Sequence, residues 1–172
     1  MAILEIIKDP NPILRKKAKA VKKVTKEITD LINDMEETMR TPADVTGVGL
    51  AAPQVGKSLR VIVVDIGEGL IEFINPKIVS RSGKEIGNEG CLSVPGVCGY
   101  VERALKIKVK GLSKQGAVKV LEAEGFLARV LQHEIDHLDG VLFIDKVVHI
   151  EETEKGVGDQ GLGVSEKECQ QI

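Results

Sequence analysis

Aromatic residues and long apolar runs are scarce in this chain of 172 residues. It contains 3 Phe, 1 Tyr and no Trp, so Ile, Leu and Val must fill the core. No apolar run approaches the roughly 20 residues that a membrane-spanning helix needs. The segment 1–9 has no long apolar core after a basic start, so it is not expected to be a signal peptide. We therefore expect a cytoplasmic protein that has no membrane partner.

Cysteine and net charge are also low. Three cysteines are present, Cys91, Cys98 and Cys169, and an odd number cannot all pair. In a chain of this size, that count argues against a disulfide scaffold and for a reducing compartment. The net charge of −2 gives no reason to expect a nucleic-acid partner.

Hydrophobic periodicity predicts two helices, over 25–40 and 125–138. Thr25 is placed to cap the first helix, Thr41 precedes the proline that ends it, and Gly140 is placed to cap the second. The segment 47–56 is predicted to be an irregular loop. Strands are predicted at 60–65, 71–74, 105–110, 118–123 and 141–144.

The order of these elements predicts an α+β fold with mainly antiparallel sheets packed around a central helix. We divide the chain into a catalytic domain, residues 1–150, and an acidic, glycine-containing C-terminal tail, residues 151–172. The tail is expected to be a weakly ordered or partly helical appendage.

The central helix carries the sequence His133-Glu134-Ile135-Asp136-His137. Histidines four residues apart lie on one face of a helix, where both imidazoles can bind one divalent metal ion. The adjacent Glu134 can then act as a base toward water. With these roles, the motif predicts a metal-dependent hydrolase. The alternative is that both histidines are surface or core-edge residues of an amphipathic helix.

A catalytic metal site needs a third protein ligand and an open position. The metzincin pattern fails because Phe143 stands where its last histidine belongs, and Glu154, the thermolysin-like option, lies in the glycine-interrupted tail. Cys91, in a loop-like stretch over 89–93, is a better candidate, although a lone cysteine is more often a small buried residue. Spacing does not exclude Cys98.

The glycine-rich segment 47–54 does not match a phosphate-binding loop. No Gly-Lys-Ser/Thr follows it, and no third glycine opens a helix as in a dinucleotide-binding motif. Its small residues instead allow the backbone to approach a ligand or the metal helix closely. Gln54 adds an amide that can donate a hydrogen bond.

Three segments together resemble the signature motifs of peptide deformylase. They are Gly47-Val48-Gly49-Leu50-Ala51-Ala52-Pro53-Gln54, Glu89-Gly90-Cys91-Leu92-Ser93 and Gln132-His133-Glu134-Ile135-Asp136-His137. They occur in the family's order, and the likeness runs from about Leu4 to Ile144. The resemblance implies an enzyme that removes the N-formyl group from the initiator formyl-methionine of nascent polypeptides and releases formate.

The resemblance also implies a metal site and its cofactor. It makes Cys91 the third ligand beside His133 and His137, and it leaves Cys98 as an ordinary small buried residue. The ion implied in the cell is Fe²⁺, and Zn²⁺, Ni²⁺ or Co²⁺ can occupy such a site in purified protein. Two imidazoles and a thiolate alone would suggest zinc.

The catalytic and binding roles follow from the same resemblance. Glu134 is the base, and the Gln54 amide and the backbone N–H of Leu92 stabilise the oxyanion. The residues implied to contact an N-formyl-methionyl peptide are Val48, Gly49, Gly90 and Val130, with Leu92 and His133 as further pocket walls. For Val130 the alternative is an ordinary core residue. Glu89, Arg103 and Asp136 are interpreted as a supporting set that orients the motifs, with ordinary surface ion pairs as the alternative.

Partners and rival functions complete the expectations. We expect a monomer that acts on nascent chains at the ribosome. Direct docking is in doubt, because the tail is acidic where some family members carry a long basic helix. The rivals are a zinc endopeptidase and a binding module with a structural metal. An intact Glu134 argues against the second, because a structural site needs no base.

Overall fold

The computed structural model describes residues 2–41, 47–148 and 169–172. Within these ranges the chain forms two α-helices and seven β-strands. In chain order they are α1 (Lys26–Arg40), β1 (Gly49–Ala51), β2 (Val61–Val64), β3 (Ile71–Ser82), β4 (Glu85–Cys91), β5 (Val94–Arg103), β6 (Lys106–Leu112), β7 (Val118–Glu124) and α2 (Phe126–Leu138). The predicted α+β class with mainly antiparallel sheets is confirmed.

Five strands form one antiparallel sheet in the order β1-β2-β3-β6-β7, while β4 and β5 form a separate two-stranded hairpin. The four apolar residues of β2 are all buried, as expected for a strand covered on both faces. In β6, buried Ile107 and Val109 alternate with lysines that are exposed or half-buried, so that strand has one wet face. β1 and β7 are the two edge strands of this sheet.

Helix α2 is buried along most of its circumference. Ten of its thirteen residues are buried, because it packs on β1, β2 and β7 and also contacts the β4–β5 hairpin. It begins after Gly125 and is followed by Gly140, both of which have positive φ. A Cβ at Gly140 would also collide with the backbone carbonyl of Arg15. These two glycines therefore fix the length of a helix whose polar residues lie in the interior.

Helix α1 closes the other side of the molecule. Its predicted span is confirmed, and Thr25 occupies the N-cap position without a side-chain cap hydrogen bond. Its buried Ile32, Met35 and Met39 belong to an apolar cluster that includes residues of β1 and β2. The edge strand β1 is therefore packed from both helices.

Several predicted strand boundaries are wrong. β3 does not end before Asn75-Pro76 but continues to Ser82, with a register shift between Ile74 and Lys77 where proline cannot donate to the neighbouring strand. The predicted loop 47–56 contains β1 followed by a 3-10 helix, Ala52–Val55. The predicted strand 141–144 is instead extended chain leading into a 3-10 helix, Phe143–Asp145.

The prediction of a loop-like stretch around Cys91 is also wrong. Residues 85–91 and 94–103 pair as a hairpin with a tight turn between them, and the register shifts between Gly90 and Cys91. Cys91 is thus the last residue of a strand, and its side chain is fully buried.

Of the C-terminal tail, the structure describes residues 169–172, while residues 151–168 and the boundary at 150 lie outside the described residues. The final four residues are not a loose appendage: they lie extended against β4, and Ile172 is fully buried. The domain boundary stays a prediction.

The expectations for Cys98 are wrong. Cys98 is exposed on β5 and forms a disulfide with Cys169, 71 residues later. No pattern in the sequence indicates that the chain end returns to β5, so the disulfide was not predictable. No helix of the described ranges is both long and apolar enough to span a membrane.

Candidate metal centre and active site

Three side chains from two elements converge at the centre of the molecule. Cys91 ends β4, and His133 and His137 lie one turn apart on α2. Their potential ligand atoms all lie within 4.8 Å of one another, and the Cys91 Sγ is 3.3 Å from Nε2 of His137. All three residues are at most 2 % exposed. The hairpin and the helix thus bring one sulfur and two imidazoles to a single point.

Unpartnered polar atoms test whether these residues fit a metal ion. Among the described residues, five buried side-chain N or O atoms have no hydrogen-bond partner, and four of them belong to this part of α2. They are Nε2 of His133, Nδ1 of His137 and both carboxylate oxygens of Glu134. Buried polar atoms normally have partners. Cys91 offers a soft sulfur and the two histidines offer imidazole nitrogens, of which Nε2 of His133 has no partner. This set of atoms fits a divalent transition metal.

Burial shifts the pKa values of two candidate ligands, Cys91 and His137. Burial, reinforced by the charge of Glu134, raises the pKa of the Cys91 thiol to about 12. Burial also lowers the pKa of His137 well below its usual value, so its ring is neutral and keeps a lone pair for a cation. A divalent ion beside the sulfur would favour the thiolate strongly.

Glu134 faces the metal centre from the next position on the helix. Its carboxylate is fully buried, and burial, followed by the negative charge of Glu89, raises its pKa well above that of an ordinary carboxyl. A raised carboxyl pKa near a reacting centre suits proton transfer at neutral pH. A Cβ at Gly49 would collide with the Glu134 carboxylate, so glycine is needed where β1 passes this side chain.

Gln54 is held with its amide group aimed at the same centre. Its Oε1 accepts a hydrogen bond from the backbone N–H of Ala51 at 2.9 Å, which fixes the orientation of the amide. Its Nε2 then donates to Oγ of Ser93 at 3.1 Å and lies 3.5 Å from the sulfur of Cys91. The glycine-rich segment and the Cys91 motif are joined through this one side chain.

Leu92 occupies the turn that directly follows Cys91. Its half-buried side chain lies so close to Gly47 that a Cβ there would come within 2.7 Å of Cδ1 of Leu92. Both Cys91 and Leu92 line a cavity of about 600 Å³ that opens beside the metal centre. The structure thus places the predicted oxyanion residue next to the sulfur ligand.

A buried carboxylate, Glu89, contacts the candidate metal ligand His133. Its Oε2 lies 2.9 Å from Nδ1 of His133, which leaves Nε2 of that ring facing the centre. Arg103 donates to both carboxylate oxygens of Glu89, at 2.8 and 2.9 Å, and also contacts Asp136. Burial alone would raise the pKa of Glu89, but the hydrogen bonds from Arg103 and His133 hold it well below its usual range. These are buried contacts, so the alternative of surface ion pairs does not describe Glu89 and Arg103.

Arg129 and Ser93 are two members of the site that the sequence analysis missed. Arg129 is 3 % exposed and donates from Nη1 to Glu89 at 2.9 Å and to the carbonyl of Val101 at 2.9 Å. The sequence signal for a buried Arg129 was its position as a single arginine among the apolar residues at the start of α2. Ser93 is fully buried and anchors Gln54, but a serine in a turn carries no sequence signal of that role.

The predicted peptide-binding residues fall at three places: on β1, on β4 and in one apolar cluster. Gly49 lies on the edge strand β1 and Gly90 on β4, while half-buried Val48 packs against an apolar cluster that contains fully buried Val130. None of these four lines the cavity beside Cys91. Phe143, which breaks the metzincin pattern, instead stacks on the ring of His133 with centroids 6.0 Å apart. The rejected ligand Cys98 is held in its disulfide, and Glu154 lies outside the described residues.

Comparisons with known proteins agree with this geometry. The family model for polypeptide deformylase matches residues 3–153. A peptide deformylase of Halothermothrix orenii is 58% identical over 154 residues, covering 88% of this chain and 98% of that protein. The crystal structure of peptide deformylase from Thermotoga maritima superposes with a TM-score of 0.82 at 43% identity, covering 87% of this chain and 100% of that one. A peptide deformylase from Synechococcus elongatus, solved in complex with actinonin, has a TM-score of 0.81 at 41% identity, covering 87% and 81%.

Proposed function

The chain belongs to the polypeptide deformylase family, and we propose that Cys91, His133 and His137 hold its metal ion while Glu134 moves the proton. The enzyme is a hydrolase that removes the N-formyl group from the start of nascent polypeptides and releases formate. The observation that carries the assignment of roles is the buried, unpartnered carboxylate of Glu134 beside three converging ligand atoms.

The chain's own residues supply the steps around the formyl group. When bound, a divalent ion supplies Lewis-acid polarisation of the formyl carbonyl and of the attacking water. Glu134 takes a proton from that water, holds it in a site screened from solvent, and delivers it to the departing amine. Its raised pKa lets it both accept and release the proton.

Gln54 and Leu92 stabilise the negative charge that develops on the formyl oxygen. The Gln54 amide is pre-oriented by Ala51 and Ser93, so little reorganisation is needed when the charge appears. The backbone N–H of Leu92 is the second donor. Oriented donors of this kind each contribute about 10²–10³-fold to kcat.

The ion in the cell is Fe²⁺, and Zn²⁺, Ni²⁺ or Co²⁺ takes the same site in purified protein. The ligand set, a thiolate with two imidazoles, suits several of these ions and does not select one, so the choice of Fe²⁺ rests on the family alone. Metal analysis of anaerobically purified protein, with formate release measured on the same sample, tests this assignment.

The substrate is an extended N-formyl-methionyl peptide that lies between the edge strand β1 and the outer edge of β4. Gly49 and Gly90 offer backbone groups there, and an apolar pocket with Val48 and Val130 takes the methionine side chain. The enzyme works as a monomer in the cytoplasm on nascent chains at the ribosome. Whether it docks there directly is tested by salt-dependent co-sedimentation with ribosomes.

Release of formate from formyl-Met-Ala-Ser, without cleavage of internal peptide bonds, separates this function from that of a zinc endopeptidase. Glu134→Ala should keep the metal and lose activity, whereas a structural metal site would show no activity in either protein. Glu122→Gln removes an exposed carboxylate on β7 and is the matched control. Substantial turnover by the Glu134 variant would show that another base operates.

A further inference from the structure

The last residues of the chain lie along the outer edge of β4. The backbone N–H of Gly90 donates to the carbonyl of Gln170 at 2.9 Å, and the N–H of Ile172 donates to the carbonyl of Gly90 at 3.1 Å. Gln171 and Gly90 form a parallel bridge. Both backbone polar groups of Gly90 are therefore already used by what we call the C-terminal segment, residues 169–172.

The C-terminal segment is in close contact with this edge. A Cβ at Gly90 would come within 2.6 Å of the Cys169 sulfur and 2.8 Å of Nε2 of Gln171. Only a glycine lets the segment approach so closely. Gln171 also lines the cavity that Cys91 and Leu92 share.

The side chain of Ile172 reaches the apolar interior. It is fully buried and belongs to the cluster that contains Val130, against which Val48 packs. These are two of the residues assigned above to the methionine pocket. The segment therefore uses the strand edge and the apolar cluster that a peptide substrate needs.

A covalent link holds the segment in place. Cys98 lies on β5 directly across from Gly90, and its disulfide to Cys169 ties the segment to the hairpin. Cys98 is exposed and Cys169 is half-buried, so the bond is open to small reductants.

We infer that the C-terminal segment is an intramolecular competitor of the peptide substrate, tethered by the Cys98–Cys169 disulfide and released when that bond is reduced. This inference rests on the proposed function for the identity of the competing substrate. Reduction by a dithiol transfers two electrons and two protons to the pair, giving two thiols while the dithiol becomes a disulfide. Oxidation by a small disulfide reverses the step.

The size of the effect follows from effective concentration. Held by the disulfide, the segment is present at an effective concentration on the order of 1 mM, so an intrinsic dissociation constant of about 0.1 mM raises the apparent KM about tenfold. Without the disulfide, only the longer main chain attaches the segment, and its effective concentration falls with the length of that tether. Since a competitor leaves the saturated enzyme unchanged, kcat should stay the same.

The experiment compares full-length variants of the oxidised protein. Ile172→Asp removes the apolar anchor, and Cys169→Ser removes the disulfide while leaving the anchor and the main-chain connection. Gln170→Ala is the matched control, because Gln170 is exposed and contributes only its backbone carbonyl. KM and kcat for a formyl-Met-Ala-Ser substrate are measured together with hydrogen exchange of the Gly90 amide.

Both test variants should lower KM about tenfold at unchanged kcat and speed exchange at Gly90, and Gln170→Ala should do neither. A trialkylphosphine, which reduces the disulfide as it is oxidised to its oxide, should bring the wild-type KM to that of Cys169→Ser. Unchanged Gly90 exchange in Ile172→Asp would overturn the inference. A higher KM would also overturn it, because the segment would then be part of the pocket.

Failure of the proposed function gives a different result. If no variant releases formate, the assignment of the reaction is wrong, but exchange at Gly90 still shows whether the segment covers this edge. An unchanged KM on reduction, with a lowered KM in Ile172→Asp, would overturn the redox control alone.

Discussion

Replacement of Glu89 by Gln should weaken both the fold and the metal site. Each carboxylate oxygen of Glu89 accepts two hydrogen bonds: Oε1 from Arg103 and Arg129, and Oε2 from Arg103 and His133. Glutamine has nearly the same shape, but its NH₂ group donates and cannot accept. Two of the four donors therefore lose their acceptor, and two buried guanidinium groups lose the charge that neutralises them.

The magnitude follows from burial. Glu89 is fully buried, and Arg103 and Arg129 are at most 4 % exposed. Water therefore cannot solvate the two guanidinium charges when they lose the carboxylate. Removing one member of a buried ion pair costs about 3–5 kcal/mol. Because the carboxylate that orients the His133 ring becomes an amide with one acceptor oxygen for three neighbouring side chains, metal affinity should fall about 10–100-fold.

Urea unfolding of the metal-free proteins measures the first effect, and titration with Zn²⁺ against a competing chelator measures the second. Glu102→Gln is the control, since it removes the same charge from the exposed ion pair of Glu102 with Lys84 on the same hairpin. That change should stay within about 0.5 kcal/mol of the wild type. If Glu89→Gln unfolded like Glu102→Gln and bound Zn²⁺ as tightly, Glu89 would have neither role.

Three further changes test other parts of the structure. Gln54→Leu should lower kcat about 10²–10³-fold with little change in KM, and near-normal turnover would remove Gln54 from its role. Gly49→Ala should displace Glu134 and lower kcat about 10²-fold while the metal stays bound; unchanged kcat would show that this contact is unimportant. Arg40, and then the Gly67 amide, lower the pKa of Asp65, so Asp65 stabilises the fold above pH 3.8 and the effect is lost as the pH falls. Asp65→Asn should therefore lower the free energy of unfolding by about 1 kcal/mol at pH 7, a small value because Arg40 is half exposed. Below the folded-state pKa of Asp65 the two proteins should be equally stable, and a difference that persists there would contradict this assignment.

The helices were predictable because their signals are local. The apolar spacing of α1, its end at Thr41 and the glycine after α2 depend on residues within a turn of each other. The same holds for His133, Glu134 and His137, whose common placement follows from helix geometry alone. Local geometry was therefore sufficient to place two of the three candidate metal ligands together.

The hairpin and the third ligand were not predictable in this way. The stretch around Gly90 and Cys91 has the glycines and prolines of a loop, and it becomes a strand only by pairing with residues 94–103. Spacing could not choose between Cys91 and Cys98, whose side chains point to different places: the sulfur of Cys91 lies beside His137 on α2, while the sulfur of Cys98 is bonded to Cys169 near the chain end. Arg129 was missed because a charged residue on a helix is usually exposed, and only the buried Glu89 makes its burial favourable.

The unpartnered atoms of α2 link the stability of the fold to its chemistry. A buried polar atom without a partner costs about 1–3 kcal/mol, and four of them cluster in His133, Glu134 and His137. The whole free energy of unfolding of such a domain is only about 5–15 kcal/mol. In the proposed mechanism, Nε2 of His133 binds the metal ion and the Glu134 carboxylate contacts the reacting water, so three of these four atoms gain a partner in the working enzyme. The proposed roles therefore explain why a stable fold retains these atoms, while Glu89 with Arg103 and Arg129 forms a buried ion-pair group behind them.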